Sequence, residues 1–127
     1  MPSLRFRSKY EERIYTNADK AGLSVEFETV KIPYTTKGNY LPDFILPNGI
    51  YVEAKGYFDS KARSKMLAVK RCNPGLDIRF LFMDSRKKLR KGSPTTYADW
   101  CRKHDFLFAD GDNIPLKWFN EKKHRTK

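Results

Sequence analysis

Cysteine and histidine are scarce in this 127-residue chain, which has two of each. No Cys/His spacing among Cys72, Cys101, His104 and His124 suggests zinc. The two cysteines read as reduced and structural, and the two histidines as surface or helix-end residues. No apolar run approaches the roughly 18 residues of a membrane span, and Met1-Pro2-Ser3-Leu4-Arg5 does not begin like a signal peptide. Internal repeats and low-complexity linkers are also missing. Acid is thin in one half only. Residues 1–60 hold eight Lys/Arg and eight Asp/Glu, whereas residues 61–127 hold eighteen against seven.

What remains is one domain with 39% hydrophobic and 14% aromatic residues, enough for a core. The whole formal charge of +11 sits in the second half. A neutral, acid-bearing half joined to a basic half suits a polyanion held against an acidic pocket, and nucleic acid is the obvious polyanion. A solubility role would not explain such one-sided placement.

The densest local information lies in Tyr40-Leu41-Pro42-Asp43-Phe44-Ile45-Leu46-Pro47-Asn48-Gly49-Ile50-Tyr51-Val52-Glu53-Ala54-Lys55-Gly56. Two apolar segments flank Pro-Asn-Gly, which predicts a β-hairpin with a three-residue loop. Centring it on Asn48 pairs Leu46 with Ile50, Phe44 with Val52 and Asp43 with Glu53. Phe44, Leu46, Ile50 and Val52 then share an apolar face, and Asp43, Tyr51, Glu53 and Lys55 the other. Opposed carboxylates at roughly 4.5–5.5 Å repel. A divalent cation of the magnesium or manganese type makes the arrangement tolerable. Two acids, a metal and a lysine can cleave a phosphodiester. The pattern Pro-Asp followed by Glu-x-Lys resembles the PD-(D/E)xK nuclease superfamily. By itself it also fits a surface hairpin with a solvated charged face, and the agreement of the register favours the nuclease.

Elsewhere, Ser8-Lys9-Tyr10-Glu11 predicts a capping box and a helix from 8 to 21 stopped by Gly22. Val25, Phe27 and Thr29 alternate as a strand continuing towards Ile32. Residues 33–39 form a polar connector without an obvious tight hairpin. A second helix spans 60–72 with Ala62, Met66, Val69 and Leu67 inward, and Asn73-Pro74-Gly75 ends it. Ile78, Phe80, Leu81 and Phe82 predict a strand buried on both faces. Five cations crowd into six positions from Arg86 to Lys91. A third helix over 95–104, a strand over 106–108, a short helical ending over 114–119 and a mobile tail from Glu121 complete the expectation. This order implies an α/β fold, a mixed β-sheet flanked by helices.

With these elements in place the chain resembles the phage T-seven endonuclease I family, the four-way-junction resolvases of T-odd bacteriophages. The likeness rests on Pro47-Asn48-Gly49-Ile50, Val52-Glu53 and Lys55-Gly56. It extends to Leu76-Asp77-Ile78-Arg79, Lys91-Gly92-Ser93-Pro94-Thr95 with Tyr97, and Phe108-Ala109-Asp110. The resemblance implies a restriction-endonuclease-like fold and a magnesium-dependent endonuclease (manganese substituting) that resolves branched DNA in the cytoplasm of an infected bacterium. It implies metal ligation by Asp43, Glu53 and the Ala54 carbonyl, and catalysis by these acids, Lys55 and Glu11. Glu11 is equally the expected capping-box glutamate after Ser8, with Glu12 the fallback.

The family also exchanges N-terminal elements between subunits. A homodimer is therefore implied, with 1–33 exchanged, 34–40 as connector, 41–119 as catalytic core and 120–127 as basic tail. Two departures stand out: only ten residues precede Glu11, and the connector is short, which bears on the spacing between active sites. Candidate DNA contacts are Arg86, Lys87, Lys88, Arg90 and Lys91, with Arg63 and Lys65 secondary. The competing functions are a less selective or mismatch-nicking nuclease and a basic nucleic-acid-binding module without catalysis. A binder gains nothing from paired carboxylates that repel phosphate.

Overall fold

The computed structural model describes residues 5–34 and 38–122. Seven strands and three α-helices appear among them: α1 (Lys9–Lys20), β1 (Glu26–Phe27), β2 (Ile32–Pro33), β3 (Asn39–Tyr40), β4 (Phe44–Ile45), β5 (Tyr51–Lys55), α2 (Ser60–Cys72), β6 (Ile78–Phe82), α3 (Tyr97–Lys103) and β7 (Phe108–Asp110). A 3-10 turn spans Leu116–Phe119. The main sheet runs β1-β4-β5-β6-β7. β1, β4 and β5 pair antiparallel, while β5, β6 and β7 are parallel. The expected mixed sheet flanked by helices is what the chain forms.

The hairpin has the expected register. Phe44 faces Val52, Ile45 faces Tyr51, and Leu46 N–H donates to the Ile50 carbonyl at 2.9 Å. Gly49 takes φ 88°, a left-handed turn conformation that costs glycine little. Phe44, Leu46, Ile50 and Val52 all join the core beneath α1. The opposite face of the sheet packs on α2 and α3 through Phe58, Met66, Val69, Phe80, Phe82, Tyr97 and Trp100. β6 lies between two parallel neighbours with all five residues buried, which explains an apolar run interrupted only by Arg79.

α1 begins where Ser8 accepts the Glu11 N–H and ends at Gly22, φ 73°. α2 starts on Asp59, and the expected Ala62, Met66, Leu67 and Val69 are its inward face. Thr96 and Asp99 form a reciprocal capping box on α3. The last strand lies two residues later than expected. Phe106 is instead a core residue stacked against Trp100, and strand pairing begins at Phe108.

Three local features differ from the sequence reading. The strand from Val25 does not run on to Ile32, because Glu28 takes φ 53° and turns the chain. Pro33 and Asn39 pair, as do Ile32 and Tyr40, so the connector is bordered by a two-stranded hairpin whose residues 35–37 lie outside those described. Glu121 is docked rather than loose, accepting from Arg79 Nη1; residues 123–127 lie outside the described residues. Arg79 is buried, grips Asp77 through two bonds of 3.0 and 2.9 Å, and lies over the Trp118 ring. Breaking such a pair costs about 3–5 kcal/mol, because the remaining charge is left buried.

Candidate active site

Asp43 and Glu53 are 4% and 6% exposed, so they do not form a solvated charged face. Asp43 stands just before β4, and its Oδ2 accepts the Ala54 N–H at 2.9 Å. Glu53 lies within β5; Oε1 accepts from the Tyr40 hydroxyl at 2.8 Å, and Oε2 is 3.4 Å from Lys55 Nζ. Period-two alternation puts Glu53 and Lys55 on one face. The Ala54 methyl enters the core on the other, so only its backbone reaches the site. These groups line a cleft of about 130 Å³ with Arg7, Glu11, Asn39, Tyr40, Leu41, Ala62, Lys65 and Met66.

Glu11 reaches this cleft through an altered cap. Its backbone N–H donates to Ser8 Oγ at 3.1 Å, but its carboxylate accepts from the Arg7 N–H at 2.9 Å rather than closing a capping box on Ser8. Its carboxylate oxygen, one of Glu28 and one of Asp43 lie within 4.8 Å of one another. Glu53 is outside that trio, drawn instead towards Tyr40 and Lys55. The Arg7 guanidinium pairs with Glu28 beside the trio.

Burial pushes the Asp43 carboxyl well above the ordinary carboxylate range, and the neighbouring charges of Glu53 and Glu11 push it further. Burial raises Glu53 as well, opposed by Lys55 and the Tyr40 hydroxyl. Burial and the two acids raise the Tyr40 phenol, keeping it a donor. Such a group favours either protons or a cation. The donors are all oxygens and predominantly carboxylate, the set preferred by a hard divalent ion. The carboxylates whose oxygens lie within 4.8 Å of one another, those of Glu11, Glu28 and Asp43, therefore fit such an ion.

The basic stretch is an anchored loop. Ser85 donates from its N–H and its hydroxyl to Asp110 Oδ2 at 3.3 and 3.0 Å. Further on, Leu89 N–H bonds the Thr95 carbonyl and Tyr97 N–H the Lys87 carbonyl, while Gly92 turns the tip at φ 83°. Lys87, Lys88, Arg90 and Lys91 line an open cleft of about 650 Å³ with Tyr57, Leu89, Gly92 and Tyr97. Arg86 is exposed but bonded to Asp84 at 3.0 Å. Because β5 and β6 are parallel, this loop leaves the sheet at the edge where Lys55 ends β5.

The model of the phage endonuclease I family matches residues 2–127. The chain is 45% identical to endonuclease I of Escherichia phage T7 over 121 residues, covering 93% of this chain and 80% of that protein. It is also 45% identical to endodeoxyribonuclease 1 of Enterobacteria phage T3, covering 93% and 79%. The chain belongs to the phage endonuclease I family.

Of the candidates in this chain, Glu11, Asp43, Glu53, Lys55 and Lys65 meet in one cleft. Arg63 does not join them; its Nη1 donates to the Phe58 carbonyl at 2.7 Å and closes the entry to α2. Glu28, Arg7 and Tyr40 are additions that the sequence does not single out. No motif marks Glu28, and only the left-handed turn after β1 brings it in, with its N–H bonded to the Asp43 carbonyl at 3.1 Å. Tyr40 directly precedes Leu41-Pro42-Asp43, and its position next to the acidic motif is its one signal in the chain. No helix among the described residues is long and apolar enough to cross a membrane.

Proposed function

We propose that this protein is a metal-dependent endodeoxyribonuclease that resolves four-way and other branched DNA junctions by paired phosphodiester hydrolysis. Family membership carries the activity, and the observation carrying the chemistry is the buried Asp43–Glu53 pair beside Lys55. Asp43, Glu53 and the Ala54 carbonyl would hold magnesium, or manganese in its place, with Glu11 completing the acidic side. When bound, the ion polarises a phosphoryl oxygen and lowers the pKa of water. Tyr40 keeps Glu53 oriented through its hydroxyl bond. Lys55 orients the attacking water or neutralises charge growing at phosphorus. A non-catalytic binder is disfavoured because buried paired acids oppose phosphate. Incubating a purified four-way junction and linear duplex of the same sequence with the protein and magnesium tests the reading. Cleavage of the junction ahead of the duplex, abolished by EDTA, is expected; no metal-dependent cleavage overturns it.

Phosphates track the loop from Arg86 to Lys91, which carries consecutive cations on an anchored backbone. Neutralising Arg86, Lys87 and Lys88 together should lower the slope of log binding constant against log salt by about 2 rather than 3, because Arg86 is engaged by Asp84. An unchanged slope removes the loop from the interface.

Two coordinated cuts call for two sites, which a symmetric homodimer supplies. In this chain α1 packs on its own core: the Tyr10 hydroxyl donates to the Gly111 carbonyl at 2.6 Å, and Asn17 to the Asp112 carbonyl at 2.9 Å. Opening the connector at 34–40 hands the same contacts to a second copy, making Glu11 a trans residue. Mixing Glu11→Ala and Asp43→Ala proteins under subunit exchange then restores one intact site per heterodimer. Nicking should return; its absence despite proven heterodimers places Glu11 in cis or outside catalysis.

A further inference from the structure

Tyr57 is 74% exposed, two residues beyond Lys55, on the wall of the cleft lined by Lys87, Lys88, Arg90 and Lys91. Its neighbours hold it there. Phe58 is fully buried, with its ring 4.9 Å from Trp100 and 5.0 Å from Phe80, and its N–H donates to the Tyr97 hydroxyl at 3.2 Å. On the other side, the Lys55 carbonyl accepts the Met83 N–H at 3.2 Å, which ties the end of β5 to the chain leaving β6. Between these two fixed points the tyrosine ring is carried out of the core.

We infer that Tyr57 is a stacking platform for an unpaired or unstacked DNA base next to the cut phosphate, and thereby a determinant of selectivity for branched over continuous duplex. The inference rests on the endonuclease reading above. An aromatic face flanked by cations matches a nucleotide, which has a π face and an attached phosphate. The four cations around it argue for a polyanion. In a continuous duplex each base face is covered by its neighbours, whereas a branch point or an extruded base leaves one open. The reach is right as well. Two residues span at most about 7 Å, so the Tyr57 backbone lies within roughly two nucleotide steps of about 3.4 Å from that of Lys55. The backbone that carries the ring is held in advance by buried Phe58 and by the Lys55 carbonyl, so binding orders less of the chain.

The test compares the parent protein with Tyr57→Ala and Tyr57→Phe, all in EDTA so that no DNA is cut. The probes are a four-way junction, a linear duplex, and the junction with 2-aminopurine at successive positions beside the branch. Tyr57→Ala should bind the junction about tenfold more weakly, with duplex affinity, salt slope and melting temperature unchanged. Tyr57→Phe should bind like the parent. Quenching of 2-aminopurine within two nucleotides of the cut should appear with Tyr and Phe and disappear with Ala. Equal junction preference and equal quenching in Tyr57→Ala overturn the inference alone. Loss of junction preference in the parent protein itself overturns the resolvase reading, and this inference with it.

Discussion

Asp43→Ala and Glu53→Ala are expected to cut branched DNA more than about 10³-fold more slowly than the parent protein while binding it nearly as tightly. Each removes one of the two buried carboxylates of the hairpin, and with it a large part of the oxygen set for the ion. The basic loop keeps its own anchors at Ser85 and Asp110, which neither substitution touches. Phosphate binding should therefore survive. A milder variant separates chemistry from folding. Asp43→Asn retains an acceptor for the Ala54 N–H but cannot ionise, so it relieves the repulsion with Glu53 and Glu11. Its melting temperature without metal should equal or exceed that of the parent. Magnesium at 100 times its dissociation constant stabilises by about 2.7 kcal/mol, on the order of 10 °C for a chain of this length, and Asp43→Asn should lose that shift. Parent-like cutting by either alanine variant, or an intact magnesium shift in Asp43→Asn, would place the metal elsewhere.

Lys55→Ala should lower kcat by about 10²–10³-fold with little change in KM, the signature of a contact made chiefly in the transition state. The ammonium is 3.4 Å from Glu53 and ends β5, where its backbone carbonyl accepts the Met83 N–H at 3.2 Å; its position is thus set by the sheet. Lys65 lines the same cleft but projects from α2, with its ammonium 5.7 Å from the Tyr34 ring centroid, rather than from β5 beside Glu53. Lys55→Arg should recover only part of the rate, since a planar guanidinium does not occupy the position of a compact ammonium. Single-turnover rates with saturating junction decide the matter. A Lys55→Ala rate within tenfold of the parent would remove Lys55 from the chemistry, and an effect confined to KM would make it a binding residue.

The central hairpin is legible from local pattern. Pro-Asn-Gly gives the turn, and a side-chain period of two gives the faces, so Glu53 and Lys55 have to emerge together and opposite the apolar set. The three helices are legible too, α1 from its Ser8 cap, while the caps Asp59 and Thr96 of α2 and α3 are seen in the structure. Glu11 is legible as a residue but not as an actor. Its place three residues after Ser8 fits a cap equally well, and the structure shows its carboxylate instead beside those of Glu28 and Asp43 in the cleft.

The sequence by itself determined the family, the turn, the register and the pairing of acid with acid, because each depends on contacts a few residues apart or on many matched positions taken together. Tertiary structure alone decided that Glu28 would stand beside Asp43, that Tyr40 would hold Glu53, and that Arg63 would close the start of α2. It also decided that Arg79 would be buried and that Tyr57 would be left in solvent. These outcomes come from which surfaces are covered once β1 meets β4 and β5 meets β6. That coverage is a sum over distant burial and backbone bonds, to which no short stretch of sequence contributes enough to be read alone.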